Sequence, residues 1–363
     1  MSTAHAEIRD LCRRALSGHR RQSIRETLAR LGESSLADRP RDVYGEGETL
    51  QALERDVAAL LGKPAAVFMP KGVIAQQAAL RIWTDRSSLK TVGLHPKSHI
   101  DFDERSAYER LHGLQAVRLG TDHQPFGRAD LEAAAEAFGA VTVELPLRRA
   151  GFKLPEWDEL VAISDWCRAQ GVPLHFDGAR LWEAQPHYGR SFAEIAGLAG
   201  SVYVSFYKGL GGLGGSILAG PEDFIAAVRV WQGRHGGTLW TAFPFVISAA
   251  EGLKHYLPRM PAYRDRARGL AAALMAVPGV RAVPAPPQTN AFQLYLPAAV
   301  KALDAAHLAL ARDSGVWLFG RLAPTMLPDL TMAEINIGDA AEDLSDGDLV
   351  DLVGRLVAAA QAL

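Results

Sequence analysis

A lysine closes an apolar run at Ser205-Phe206-Tyr207-Lys208, and five glycines follow within Gly209–Gly215. Glycine lets a backbone approach a ligand closely and adopt positive φ. A lysine in so desolvated a place loses its proton more readily and can act as an amine nucleophile. The structural alternative is a solvated turn lysine. A second group is His175-Phe176-Asp177-Gly178-Ala179-Arg180. Asp177 follows a short apolar run and so stands at the carboxyl end of a strand, where parallel α/β sheets hold their ligands. Arg180 is within reach of an anion in the same crevice, or else pairs with a carboxylate to close off the strand end.

Two further segments have chemical potential. In Met69-Pro70-Lys71-Gly72-Val73-Ile74 a strand end meets a helix start, and the free N–H groups at Gly72 and Val73 could hold a phosphate. His95 and His99 have i, i+4 spacing, but Pro96 argues against one helix presenting both, and neither a cysteine nor a third histidine accompanies them. No metal site is expected. His99 reads better as a ring stacked on a flat ligand or as an acid–base group. Gly209, Gly211 and Gly214 match G-x-G-x-x-G, yet Ser216–Ala219 reads as a strand where a dinucleotide fold requires a helix, so that reading is rejected.

The elements that position these groups alternate. Strands are expected at Ala65–Met69, Lys90–Gly93, Ala116–Leu119, Ala140–Leu145, Pro173–Phe176, Ser201–Phe206 and Ser216–Ala219. Helices are expected at Glu48–Leu61, Val73–Trp83, Pro155–Gln170, Asp223–Trp231, Thr241–His255 and Tyr263–Ala276. This is a mostly parallel sheet covered on both faces. Beyond a Pro-rich boundary at Pro278–Pro287, strand, helix, strands and a last helix at Ser345–Leu363 make a smaller α+β domain. The expected division is an Arg-rich arm outside the core (1–45), a large domain (46–255) and a small C-terminal domain (256–363).

The 363 residues are 48% apolar and 22% charged, with 39 basic against 41 acidic side chains and a net charge of −2. That balance gives no reason to expect nucleic acid or an anionic membrane as partner. Cys12 and Cys167 read as free thiols of a reducing compartment. The N-terminal stretch lacks the apolar centre of a secretory signal, and no apolar run reaches the ~18 residues of a membrane span. A cytoplasmic protein is expected.

Taken together, the motifs resemble the threonine aldolase and beta-eliminating lyase branch of the fold type I (aspartate aminotransferase-like) pyridoxal-phosphate enzymes. Asp42-Val43-Tyr44-Gly45, Leu61–Gly72, His175–Arg180, Lys208–Gly211 and Thr289-Asn290 carry the resemblance, which runs from about residue 42 onward. It implies a large domain with a mostly parallel seven-stranded sheet between helices, a small α+β domain, and pyridoxal 5′-phosphate as cofactor. By resemblance, Lys208 would join the cofactor covalently and Asp177 would pair with its ring nitrogen. His99 would stack on the ring. Arg180 would lie near the phenolic oxygen or the substrate carboxylate, and Gly72 and Val73 would hold the phosphate. Glu104 matches an acidic family position of unassigned role.

Departures gather around phosphate and substrate. Leu147 stands where the family motif has a histidine, Trp240 where it has an arginine, Tyr207 for a serine and Val73 for a threonine. Glu334 falls in the stretch that normally supplies a carboxylate-binding arginine, a function Arg321 could assume. Tyr44, Arg180, Arg321 and Glu334 are the substrate candidates. The leading expectation is retro-aldol cleavage of a β-hydroxy-α-amino acid to glycine and an aldehyde, with Lys208 and His99 catalytic. The alternatives are β-elimination, racemisation, decarboxylation or transamination of an atypical amino compound, and a catalytically idle binding protein of the same fold. The family also implies a homodimer or homotetramer.

Overall fold

The computed structural model describes residues 3–363. Two compact units are present: Ile24–Pro258, and a second that joins the chain up to Ser23 with Arg259–Leu363. Strands are numbered along the chain.

The Ile24–Pro258 unit is built on seven strands: β2 (Ala65–Met69), β3 (Thr91–Leu94), β4 (Gln115–Arg118), β5 (Ala140–Glu144), β6 (Leu174–Gly178), β7 (Ser201–Ser205) and β8 (Ser216–Gly220). Their order is β2-β8-β7-β6-β5-β3-β4. Only β8 runs against its neighbours. This is the mostly parallel seven-stranded sheet expected for fold type I. β6, β7 and β8 are buried throughout, which explains why they read as unbroken runs without alternation. Ser216–Gly220 is a strand, so the glycine run opens no dinucleotide-binding helix.

The helix Gly72–Ser87 packs Ala75, Ala78, Ala79, Ile82 and Trp83 against Val67, Met69, Leu218 and Phe224. Trp83 stacks on Phe224 with ring centroids 4.5 Å apart. It extends past the expected Trp83 because Thr84 bonds back to the Leu80 carbonyl and Arg81 pairs with Asp85 at 2.8 Å. Helices Leu181–Tyr188 and Phe192–Gly197 were not foreseen: Pro186 interrupts the first, and the second is signalled only by the Ser191–Glu194 capping box.

In the other unit β9 (Arg281–Val283), β10 (Ala291–Leu296), β12 (Leu322–Pro324) and β13 (Thr331–Asn336) form an antiparallel sheet ordered β12-β13-β10-β9. β9 lies inside the Pro-rich stretch read as a boundary; it is an edge strand, where flanking prolines cost no ladder bonds. β1 (Arg14–Ala15) pairs with β11 (Val316–Trp317). The N-terminal segment corrects the expectation of an arm outside the core. Ile8 packs on Ala311 and Trp317, and Leu16 is fully buried. Sparse apolar residues among many arginines hid this face. The stretch 1–45 divides at Ser23, so its two helices, Thr3–Leu11 and Ile24–Gly32, belong to different units.

Candidate active site

Lys71, His99, Glu144, Asp177 and Lys208 all lie at or just beyond the carboxyl ends of strands that share one direction. Lys71, Gly72, Val73, Gln76, His99, Glu104, Asp177, Ala179, Tyr203, Tyr207 and Lys208 line a single cavity there.

Lys208 follows β7 at the start of the glycine turn. Burial, and then the charge of Arg180, bring its ammonium down to about 8, against the pull of Asp177, Glu144 and Glu183. The amine therefore deprotonates far more readily than a surface lysine. The next residue must be glycine: a Cβ at Gly209 would lie 2.3 Å from Glu183 Oε1, which accepts the Gly209 N–H at 3.0 Å. Asp177 is 2% exposed, and its Oδ1 accepts the Ala179 N–H at 3.1 Å.

His99 opens a short helix after β3. Its N–H donates to Glu144 Oε2 at 2.7 Å, and its Nδ1 lies 3.0 Å from Glu104 Oε1. Glu104 Oε2 accepts from Gln77 Nε2 at 2.8 Å. Burial lowers the basicity of the ring, but the Glu104 bond and the Asp177 and Glu104 charges outweigh it, and the imidazole ends above its ordinary value. Nδ1–H thus points to Glu104, leaving Nε2 as the other nitrogen for proton traffic. Glu144 is pushed up to about 7, chiefly by burial and then by Asp177.

Gly72 begins its helix directly under Tyr203: a Cβ there would sit 2.0 Å from the Tyr203 hydroxyl oxygen. One turn on, Gln76 Oε1 accepts from His175 Nε2 at 2.7 Å, His175 Nδ1 meets Ser201 Oγ at 2.8 Å, and Trp83 Nε1–H donates to that same Oγ at 2.8 Å. Burial holds the His175 ring down at about 3, so it is neutral. Nε2–H is then the donor to Gln76, and Nδ1 accepts from Ser201. Gln76 Nε2 is left buried with no partner among the described residues.

Lys208, Asp177, His99, Gly72 and Val73 come together on the cavity. Arg180 is not among its lining residues; its guanidinium lies over the Phe152 ring at 5.3 Å. Tyr44 also lies outside the lining, edge-on to Trp240 with centroids 4.9 Å apart. Arg321 and Glu334 belong to the other unit, the first exposed before β12, the second opposite Gln293 on β13. Lys71, Gln76, Glu144, Tyr203 and Tyr207 enter the site without having been singled out as site residues.

The donor set fits pyridoxal phosphate. A depressed amine would suit its aldehyde, an enclosed carboxylate its ring nitrogen, an imidazole its face, and an uncapped helix start with an unpartnered amide its acceptor oxygens.

Residues 33–298 match the beta-eliminating lyase family. A protein of Listeria monocytogenes EGD-E, provisionally named an L-allo-threonine aldolase, superposes with a TM-score of 0.92 at 35% identity over 98% of both chains. The low-specificity L-threonine aldolase of Escherichia coli K12 is 30% identical over 238 residues, 63% of this chain and 70% of its own. An aldolase of Penicillium aethiopicum is 31% identical over 219 residues, 58% of this chain. Two of the curated relatives are matched over little more than half their own length, 57% and 55%.

Proposed function

The chain belongs to the beta-eliminating lyase family, among the threonine aldolase-like fold type I enzymes whose cofactor is pyridoxal phosphate; on that premise we propose that it cleaves the Cα–Cβ bond of a β-hydroxy-α-amino acid, releasing glycine and an aldehyde. The observation that carries this reading is the convergence of the Lys208 amine, the Asp177 carboxylate and the His99–Glu104 pair on one cavity. When bound, the cofactor supplies a sink for the electron pair left on Cα. Lys208 provides the amine for its attachment. Asp177 holds a proton at the ring nitrogen, and His99 covers the ring face. Gly72 and Val73 N–H groups receive the phosphate. His99 Nε2, kept basic through Nδ1–H and Glu104, takes the β-hydroxyl proton as the Cα–Cβ bond breaks and the carbonyl of the aldehyde forms, and a proton returned to Cα completes glycine. Arg180 sets the charge around the Lys208 amine and the substrate carboxylate.

The test is aldehyde release from L-threonine, L-allo-threonine and phenylserine by the protein supplied with cofactor. Lys208→Ala should abolish both that release and borohydride-fixed attachment of the cofactor. A wild-type protein that neither colours with the cofactor nor is labelled through it overturns the reading.

A second reaction on the same cofactor, β-elimination or another change on an atypical amino compound, is favoured by one observation. Leu147, 2% exposed, stands where the resembling motif has a histidine, so this position supplies no imidazole. Cofactor binding with no aldehyde from any of the three substrates would support this reading instead. We further infer a cytoplasmic homodimer or homotetramer. Among the described residues no helix is long and apolar enough to cross a membrane. The groove formed by Leu28, Leu31, Leu36, Phe243 and Ile247 offers apolar surface to a second copy. Sedimentation of the purified protein tests the oligomer.

A further inference from the structure

A bound phosphate ester brings close to two negative charges into the cavity, whose lining already holds the carboxylates Asp177 and Glu104. Of the cations on that lining, Lys208 is engaged with the aldehyde in the reading above, and His99 is turned toward Glu104. Lys71 is the remaining one. It occupies the position immediately before the helix Gly72–Ser87, and no side chain caps that end. Its Nζ lies over the Tyr207 ring, 4.8 Å from the centroid, and the Tyr207 hydroxyl is 3.4 Å from that of Tyr203, which itself abuts Gly72. An ammonium, two hydroxyls and the positive end of a 16-residue helix therefore converge. A separate feature also points to a missing acceptor: Gln76, 1% exposed and one turn further along, has an Nε2 without a partner on the same cavity.

We propose that Lys71 and Tyr207 form the cation-and-hydroxyl half of the phosphate seat in this chain, opposite the N–H groups of Gly72 and Val73. Val73 offers no hydroxyl and Trp240 no positive charge. Lys71 supplies the charge and Tyr207 the hydroxyl from the other side of the helix start. This rests on the cofactor seat proposed above, but it can fail by itself.

The experiment titrates cofactor-free protein with pyridoxal phosphate and with pyridoxal, reading tryptophan fluorescence and the visible band. Lys71→Met should weaken pyridoxal phosphate about tenfold, the worth of one charge-assisted hydrogen bond, and leave pyridoxal unaffected. Tyr207→Phe should act in the same direction with a smaller loss. Inorganic phosphate should compete with pyridoxal phosphate on the wild type and compete less on Lys71→Met. Equal weakening of both vitamers, or no change in either, overturns the role of Lys71 while leaving the seat intact. Failure of the wild type to bind pyridoxal phosphate overturns both.

Discussion

Glu144 and Asp177 are register partners at the carboxyl ends of the adjacent parallel strands β5 and β6. Burial and this neighbour push the Glu144 carboxyl from 4.5 up to about 7. Folded Glu144 therefore keeps its proton where the unfolded chain has released it. Its contribution to stability is full below the unfolded value and is lost as pH rises toward and through about 7. Glu144→Gln should flatten this trend. Urea unfolding at several pH values across that window checks it, and parallel wild-type and variant curves would refute the assignment.

Cofactor attachment should follow the Lys208 amine. Because that group titrates at about 8, attachment should rise with pH up to this region and then level off. Arg180→Gln removes the charge that, after burial, depresses the amine most, so the midpoint should move to higher pH. Absorbance of the attached cofactor against pH measures both midpoints. An unmoved midpoint in the variant would remove Arg180 from this role.

Replacing Glu104 by Gln removes the carboxylate charge, and with it the charge-assisted bond, that keeps His99 above its ordinary basicity. The His99 imidazole should titrate at lower pH in the variant, as read by proton NMR. Aldehyde release should fall on the order of a hundredfold, the scale of one lost acid–base contribution. A lowered rate with an unchanged His99 titration would show that Glu104 acts by packing alone.

Gly72→Ala should destabilise the Ile24–Pro258 unit by about 1–3 kcal/mol, the usual cost of forcing an extra methyl into a packed site. The added carbon meets the Tyr203 hydroxyl at 2.0 Å, and Tyr203 is itself only 3% exposed. Pyridoxal phosphate binding should weaken as well. A variant as stable as wild type would show that the helix start yields.

Lys208, Asp177 and His99 were legible because each follows an apolar run, and a titratable group at the end of such a run is uncommon enough to notice. Gly72 and Val73 were legible through the strand-to-helix turn. Gln76 and Tyr203 carried no such mark, and Glu144, which does close the run Ala140–Val143, was passed over. Gln76 matters through the helix face that turns it toward His175, Tyr203 through a contact with Gly72 far away in the sequence, and Glu144 through the register of β5 on β6. Such relations arise only when the sheet is assembled. The sheet itself was readable because its buried strands are continuous apolar runs. Ile8 and Leu16 were misjudged for the opposite reason: a few apolar side chains among arginines are enough to dock a short helix on Ala311 and Trp317.

The relay from Trp83 through Ser201 and His175 to Gln76 has one sense only. Each link hands a hydrogen forward, and the imidazole in the middle does not reverse it until the medium is as acidic as about pH 3. The wall it ends on consequently favours lone pairs over hydrogens across the whole physiological range. A guest resting there meets an amide N–H in want of an acceptor, and that preference is indifferent to the acidity of the cell.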